Sequence, residues 1–204
     1  MILNRTRIYI IFLFFWIVPY STTSFVGKFT GAYLLPMWID NYIPLWPPAL
    51  IGYALYFPLL FFTFILVKDL NISKKGIYAF VVSALITSSF FIAVPTKMPR
   101  PTLIADGFFD NVLNNVWILD TAKNAFPSQH VAFSFVCAFI LATAYKKWGW
   151  FFISIASAIA ISTLLVKQHY VWDVISGFIL AVFAYWWAFV RSEKVAVASK
   201  ALES

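Results

Sequence analysis

Length, composition and charge exclude an ordinary soluble domain. The chain has 204 residues, of which 62% are hydrophobic and 11% charged, and its mean hydropathy is +0.84. A composition this apolar is typical of a polytopic membrane protein, so the net charge of +7 must first be divided between the two sides of a bilayer and indicates no nucleic-acid partner. The single cysteine, Cys137, lies in an apolar run, which excludes a disulfide framework within the chain and a Cys-based metal site.

Six apolar runs predict an all-α fold with six transmembrane helices. About 20 helical residues are needed to cross roughly 30 Å of hydrocarbon, because each residue rises about 1.5 Å. The first run follows Arg5 and Arg7 as a signal peptide would, but it is long and no small-residue cleavage site follows, so we expect a retained span. Residues 1–204 are predicted to form a single integral domain. The predicted spans are residues 7–26, 48–67, 76–94, 128–145, 148–166 and 170–190.

The basic residues predict the orientation of these spans. A cytoplasmic N-terminus places ten basic residues inside and five outside, which agrees with the positive-inside rule. The inside set is Arg5, Arg7, Lys68, Lys74, Lys75, Lys146, Lys147, Arg191, Lys194 and Lys200. The outside set is Lys28, Lys97, Arg100, Lys123 and Lys167. We therefore expect cytoplasmic termini and, because a compact chain lacks retrieval signals, a bacterial inner (plasma) membrane.

This topology brings two polar clusters to one face of the membrane. The chain has two histidines, His130 and His169, and each lies at the mouth of an apolar run. Residues 95–127 join the third and fourth predicted spans, and residues 166–170 join the fifth and sixth, so both loops emerge on the extracytoplasmic side. The sequence therefore predicts that the two histidines meet at one surface.

His169 and Asp173 form the first candidate pair. They are four residues apart, which places them on one face of a helix, one turn from each other. A carboxylate there can accept the Nδ1 proton of the imidazole and leave Nε2 free to attack. Asp173 is also the only acidic residue inside a predicted span, where an unpartnered carboxylate is costly. The alternative is a structural polar pair that holds helices together.

The second cluster is Pro127-Ser128-Gln129-His130. Proline suits the first turn of a helix, so the three residues after it are predicted to occupy the N-terminal turn of the fourth span. Free backbone N–H groups and the positive end of the helix dipole favour an anion there, with the Ser128 hydroxyl as a further donor. His130 can then protonate a leaving oxygen. The alternative is an interfacial histidine bonded to a neighbour or to water.

Three cations accompany these clusters. Lys97 and Arg100 lie on a proline-punctuated backbone directly after the third span, and Lys167 lies two residues before His169. The planar guanidinium of Arg100 suits two phosphate oxygens, whereas a lysine supplies a point charge. Cations at span ends also occur as simple interfacial anchors, and that interpretation stays open for Lys97 and Arg100.

These residues, in this order, resemble the type 2 phosphatidic acid phosphatase (PAP2) superfamily of membrane phosphatases and lipid phosphotransferases. That family has the signatures Lys-x6-Arg-Pro, Pro-Ser-x-His and Ser-Arg-x5-His-x3-Asp. The second is present as Pro127-Ser-Gln-His130, the third ends in His169-x3-Asp173, and the first is reduced to Arg100-Pro101. The resemblance covers residues 95–177.

The chain departs from the family pattern at two cations. Ala93 stands where the first signature has lysine, and Ser162-Thr163 stands where the third has Ser-Arg. Lys97 and Lys167 are therefore predicted as replacements. The surrounding pattern, which includes Leu119-Asp-x3-Asn-x-Phe before the second signature, looks like a branch containing inositol-phosphorylceramide-synthase-like phosphotransferases.

The resemblance implies a mechanism and a set of site residues. His169 would attack phosphorus and become a phosphohistidine, Asp173 would orient it, and His130 would act as acid and base. The phosphate-binding residues would be Arg100, Lys97, Ser128, Lys167 and Gln129. The implied partner is a lipid phosphate in the bilayer, with or without a hydroxyl acceptor, and no metal or other cofactor is expected.

The alternatives concern function class and substrate. A non-catalytic six-span transporter or scaffold would use the His–Asp pair only structurally, although no second half symmetrical to the first is evident. Phospholipids and polyprenyl phosphates need the same phosphate cradle, so the residues do not choose between them. The loop before His130 has apolar residues at helical spacing, at positions 109, 112, 113 and 116, which predicts a short helix on the membrane surface.

Overall fold

The structure is a computed structural model that describes residues 4–27, 31–104, 106–120 and 123–191. Within those ranges the regular elements are helical, and the only strand-like features are two isolated bridges between loops. The helices are α1 Arg5–Gly27, α2 Leu50–Ala54, α3 Tyr56–Leu66, α4 Leu70–Ala93, α5 Phe108–Leu119, α6 Gln129–Ala144, α7 Gly149–Leu165 and α8 Val171–Tyr185. The all-α prediction is confirmed for this part of the chain.

Among the described residues, four helical segments are long and apolar enough to cross a membrane: Pro47–Leu66, Leu70–Ala93, Lys146–Leu165 and Val171–Arg191. They correspond to the second, third, fifth and sixth predicted spans and indicate a membrane protein. At the place of the first predicted span lies α1, with 23 residues. At the place of the fourth lies α6, an apolar helix of 16 residues. Lys28, Lys194 and Lys200, which entered the orientation prediction, lie outside the described residues.

One predicted span starts well before its predicted position, and capping side chains define where both α4 and α6 begin. The third span begins at Leu70 rather than at residue 76, because the Asp69 carboxylate caps it by accepting from Asn71 N (2.7 Å) and Ile72 N (3.1 Å). Ser128 is the N-cap of α6 and Pro127 precedes it, so neither residue lies in the first helical turn as predicted. The helix that carries His130 is therefore shorter than its apolar run.

The central element is α6. It packs against α3, α4, α7 and α8, and eleven of its 16 residues are buried. Its Phe133 packs closely against Phe80 of α4, with ring centroids 4.1 Å apart, and Phe80 in turn contacts Phe12 of α1. A helix that is apolar on every side is expected at the centre of such a bundle. This position places the N-terminus of α6 between its neighbours.

Loops cover the end of the bundle where α6 and α8 begin and where α4 and α7 end. Backbone bridges join Tyr33 to Thr96 and Lys97 to Lys123, and Trp46 N donates to Leu165 O at 2.9 Å. The short helix predicted before the second signature is confirmed as α5. All the predicted site residues belong to this end of the bundle.

Candidate active site

The two histidines are in direct contact. His130 is the second residue of α6, and His169 lies just before α8, which begins at Val171. The Nδ1 atom of His130 is 3.3 Å from the Nε2 atom of His169, and the two rings meet edge to face at 65°. Helices α6 and α8 start at the same end of the bundle, so residues 39 positions apart share one site.

Asp173 sets the orientation of His169. Its Oδ2 atom accepts from His169 Nδ1 at 3.4 Å and from Tyr170 N at 2.9 Å. The side chain is fully buried. Because a carboxylate can only accept, the Nδ1 nitrogen of His169 carries a proton, and the lone pair of the neutral ring lies on Nε2, facing His130.

Ser128 joins the two helices that carry the histidines. Its backbone N–H donates to Asp173 O at 2.9 Å, while its hydroxyl caps α6 by accepting from Val131 N at 3.3 Å. Gly177 of α8 faces this junction so closely that a Cβ atom there would lie 2.6 Å from Ser128 O. Ser128 is buried at the helix junction and is not one of the residues that line the polar pocket described next.

A small polar pocket lies beside the two rings. Arg100, the arginine of the first family signature, lines this pocket. Its guanidinium donates to the Lys167 carbonyl, to the Gln168 side-chain oxygen and, at 3.5 Å, to the Asp120 carbonyl. The guanidinium also lies 5.9 Å from the ring centre of Trp117, whose indole N–H donates to Val166 O at 3.0 Å. Arg100 is therefore held firmly. The pocket is lined by Arg100, Asp120, Lys123, Asn124, Ala125, Gln129, His130, Gln168 and His169.

Two buried amide groups in this pocket have donors to spare. Gln129 is 6% exposed and Gln168 is 4% exposed, and within the described parts of the chain neither Nε2 atom has a hydrogen-bond partner. The assignment of the Gln168 amide is unambiguous, because its oxygen accepts from Arg100, which can only donate. A buried donor without an acceptor is costly, and an anion in the pocket would supply one.

The structure does not bring Lys97 and Lys167 to the pocket lining. Lys97 is exposed, and its backbone N–H donates to Tyr33 O at 2.9 Å. The Lys167 ammonium donates to Ile43 O at 2.5 Å and to Asp40 O at 3.5 Å. Burial lowers the pKa of Lys167, and the Asp40 carboxylate partly offsets that shift. Lys167 thus ties the loop before His169 to the loop before α2, and the lysine that lines the pocket is Lys123.

Both loops that present the histidines contain a non-glycine residue in left-handed conformation. Asn124 has a φ of 59° and Lys167 a φ of 54°. Such backbone costs about 1–3 kcal/mol per residue and tends to occur at functional sites. The hydrogen bonds of Lys167 give one reason why this conformation is kept.

An apolar cleft of about 350 Å³ opens on the other side of His130. Its walls come from α1, α2, α3, α5 and α6. The cleft and the polar pocket share three residues, Asp120, Gln129 and His130. The cleft is lined by Trp16, Ile17, Ser21, Tyr53, Tyr56, Phe57, Val116, Leu119, Asp120, Gln129 and His130.

Sequence reasoning missed four residues of this site. Gln168 lies between Lys167 and His169, and Asp120 belongs to the branch pattern, so both had a local signal that could have been used. Lys123 was counted only in the orientation prediction. Tyr53 lies in the second predicted span without any motif, so nothing in the sequence indicated it. No group of three or more His, Cys, Asp or Glu side chains placed to bind a metal occurs among the described residues.

Comparison with known proteins identifies the family. The PAP2 superfamily model matches residues 74–195, more than half of the chain, and this range includes both histidines, Asp173 and Arg100. The chain belongs to the PAP2 superfamily. Members of the PAP2 superfamily are generally phosphatases, which agrees with the expectation from the sequence. The matched range leaves out Tyr53 and the rest of the first two predicted spans.

One curated relative is similar over a shorter segment. It is the bacitracin transport permease protein BcrC of Bacillus licheniformis, which is 36% identical over 69 residues. The matched segment covers 32% of this PAP2 chain and 34% of the relative. No solved structure is significantly similar to the chain.

The expected departure from the third PAP2 signature has a structural counterpart. Thr163, at the position of the family's arginine, is fully buried, and its hydroxyl donates to Ala160 O at 2.7 Å. The Thr163 carbonyl accepts from Gln168 N (2.8 Å) and His169 N (3.3 Å). This position therefore supports the histidine loop by its backbone and offers no cation to a phosphate.

Proposed function

We propose that this PAP2 protein is a membrane lipid phosphatase or phosphotransferase that acts through a phosphohistidine on His169. The observation that carries the proposal is the contact between the two imidazoles, 3.3 Å apart, with the Asp173 carboxylate behind His169. This arrangement brings together a nucleophile (His169), the carboxylate that orients it (Asp173) and a proton donor (His130). We further propose one integral domain with six spans, α1 and α6 being the first and fourth, with cytoplasmic termini and an extracytoplasmic active site, on the basis of the positive-inside count.

In the first step, the Nε2 lone pair of His169 attacks phosphorus. A P–N bond forms, the P–O bond to the leaving group breaks, and His130 gives its Nδ1 proton to the departing oxygen. Asp173 stabilises the positive charge that His169 gains. The products are the released alcohol and a phosphorylated His169.

In the second step, His130 acts as a base. It takes a proton from water or from the hydroxyl of an acceptor lipid, whose oxygen attacks phosphorus as the P–N bond breaks. Water yields hydrolysis, and a lipid hydroxyl yields transfer of the phosphoryl or head group. The branch resemblance, which includes inositol-phosphorylceramide-synthase-like enzymes, favours transfer.

The pocket donors would hold the phosphoryl oxygens. Arg100 lines the pocket with its Nε atom buried, and the amides of Gln129 and Gln168 point no donor at another described residue. Such preorganised donors stabilise the charge of a phosphoryl transition state. Lys123 adds a positive charge. In this proposal Ser128 and Lys167 support the site through the backbone, and Lys97 contributes at most a long-range charge.

Substrate binding requires a rearrangement of the rings. Reacting atoms approach to about 3–3.5 Å before a bond forms, so phosphorus and its oxygens cannot fit between two nitrogen atoms that are 3.3 Å apart. The phosphate must therefore displace the imidazole contact. The neighbouring apolar cleft has room for part of a hydrocarbon chain, which makes a lipid phosphate the fitting substrate class.

The decisive experiment offers the purified protein a panel of labelled phospholipids and polyprenyl phosphates, with and without hydroxyl acceptors. Free phosphate and new lipid are followed separately, which divides hydrolase from transferase. We expect turnover by the native protein and none by His169→Ala or His130→Ala variants that insert normally. If the panel is not turned over at all, or the variants match the native protein, the histidines have a structural role and the non-catalytic alternative holds.

A further inference from the structure

A second carboxylate lies behind His130, in the place that Asp173 takes behind His169. Tyr53 of α2 contacts His130 with its hydroxyl 2.9 Å from Nε2. The same hydroxyl is 3.1 Å from Oδ2 of Asp120, the residue at the C-terminal end of α5, and that oxygen is 4.0 Å from His130 Nε2. No role follows for Tyr53 or Asp120 from the family signatures or from the steps proposed above.

Asp120, Tyr53, His130, His169 and Asp173 form a row of hydrogen-bonded side chains with a carboxylate at each end. The direction of each hydrogen bond can be assigned by starting from these two carboxylates. The Asp120 carboxylate can only accept, so Tyr53 donates to it, and the Tyr53 oxygen is left to accept from His130 Nε2. At the other end, His169 donates through Nδ1 to Asp173, which leaves a lone pair on its Nε2 atom. The proposed nucleophile must be a neutral His169, and with His169 neutral the 3.3 Å contact needs a proton on His130 Nδ1.

Both nitrogens of His130 are therefore donors in this arrangement. The ring carries the proton on Nδ1 that a leaving oxygen needs and keeps a second one on Nε2, directed to Tyr53. Two aromatic rings also hold the imidazole in place, with centroid distances of 5.0 Å to Tyr53 and 4.7 Å to Tyr56. The Asp120 charge stabilises the imidazolium without touching the reacting atoms.

We propose that Tyr53 and Asp120 are positioning residues that keep His130 charged and aimed as the proton donor of the reaction. The inference rests on the proposed function, because it assigns a partner to the acid of that mechanism. It makes the site a pair of carboxylate-supported histidines, one direct and one through a tyrosine. Since Tyr53 lies in the second predicted span, that span contributes a positioning residue to the site.

The test uses leaving groups that differ in their need for a proton. One probe is a long-chain alkyl phosphate, whose alkoxide must be protonated as it departs. The other is a nitrophenyl phosphate that carries the same alkyl chain, whose phenolate departs without help. General acid catalysis contributes about 10²–10⁴-fold to such reactions, so loss of His130 support should affect the first probe far more than the second.

We expect Asp120→Asn and Tyr53→Phe to slow release of the alkyl alcohol by about 10- to 100-fold while changing nitrophenolate release by less than about threefold. The matched control is Asp110→Asn, since Asp110 caps α5 by accepting from Gly107 N at 3.0 Å and lies outside the polar pocket. We expect it to affect both probes equally. Membrane insertion of each variant is measured in parallel.

The possible outcomes separate this inference from the proposed function. Equal losses on both probes for Asp120→Asn and Tyr53→Phe, or no loss on either, would overturn the positioning role. If His169→Ala remains inactive in that case, the phosphohistidine mechanism stands, but without a positioning role for Tyr53 and Asp120. If His169→Ala turns over the nitrophenyl probe like the native protein, the proposed function itself fails.

Discussion

The polar pocket and the apolar cleft meet at His130, yet they differ in how much space they contain. The pocket encloses about 10 Å³ and the cleft about 350 Å³. Buried polar groups must find partners, so the histidines and Arg100 have closed on one another and on nearby carbonyls. Apolar walls have no such demand and can leave a groove open. Under the proposed function, this difference implies that the cleft is already open to a hydrocarbon chain, whereas a phosphate must open the polar pocket as it binds.

The largest effect should come from the carboxylate that orients His169. Asp173→Asn keeps the shape but cannot enforce the Nδ1–H tautomer, and the corresponding change in a Ser-His-Asp triad lowers kcat by about 10⁴-fold. We expect a comparable loss, together with a much slower appearance of acid-labile phosphate bound to the protein. Binding of a long-chain alcohol in the cleft should not change, because Asp173 does not line it. Normal phosphorylation kinetics would contradict the assigned role.

A methyl group at the junction of α6 and α8 should disturb the polar side alone. In Gly177→Ala the new Cβ would lie 2.6 Å from the Ser128 carbonyl, so one helix must shift. Overpacking of this kind costs about 1–3 kcal/mol, and the shift moves His130 relative to His169. The midpoint temperature of thermal unfolding in detergent and the turnover rate should both fall. Gly31→Ala is the matched control, since nothing lies within 4 Å of its Cβ, and an equal effect there would refute the explanation.

Gln168 provides a sharper probe of the polar pocket. Gln168→Ala removes a buried amide donor and the acceptor of Arg100, and loss of one preorganised donor typically lowers kcat by about 10²-fold. Gln168→Glu retains the acceptor but adds a negative charge that opposes phosphate. We expect the Glu variant to be the less active, with a raised KM for the phosphorylated substrate. Equal activity of both variants would show that the amide does not face the anion.

The cleft can be filled without touching the polar pocket. Val116 of α5 lines the cleft, whereas Val112, one turn earlier, does not. Val116→Trp should raise KM for long-chain substrates by about tenfold, because a buried methylene contributes about 0.8 kcal/mol and two of them would be displaced. Short-chain substrates should be unaffected, and so should every substrate with Val112→Trp. A uniform loss across chain lengths would place the hydrocarbon elsewhere.

The smallest effect should come from the exposed lysine of the first loop after α4. Lys97→Ala removes a charge that does not line the pocket, and exposed charges contribute about 0–1 kcal/mol, so turnover should fall by less than about fivefold. Lys123→Ala should cost more, because Lys123 does line the pocket. The reverse order would restore Lys97 as the replacement for the family's lysine.

Local pattern was enough to predict the helical membrane fold, four of the spans and the meeting of the two histidine clusters at one end of the bundle. Hydrophobic run length, the spacing of His169 and Asp173 and the PAP2 signatures are all encoded in neighbouring residues. The helix starts at Leu70 and Gln129 also depend on neighbouring residues, the caps Asp69 and Ser128, but the length of the hydrophobic runs alone did not reveal them.

The sequence by itself determined that this is a PAP2-type membrane protein with two histidines and an aspartate in signature order. Only the tertiary structure decided that Lys167 bonds the first loop, that Gln168 and Lys123 line the pocket, and that Tyr53 and Asp120 lie behind His130. The physical reason is that each of these contacts joins distant parts of the chain. Which carbonyl a lysine reaches, or which ring a tyrosine meets, depends on how helices pack and carries no signal in local order.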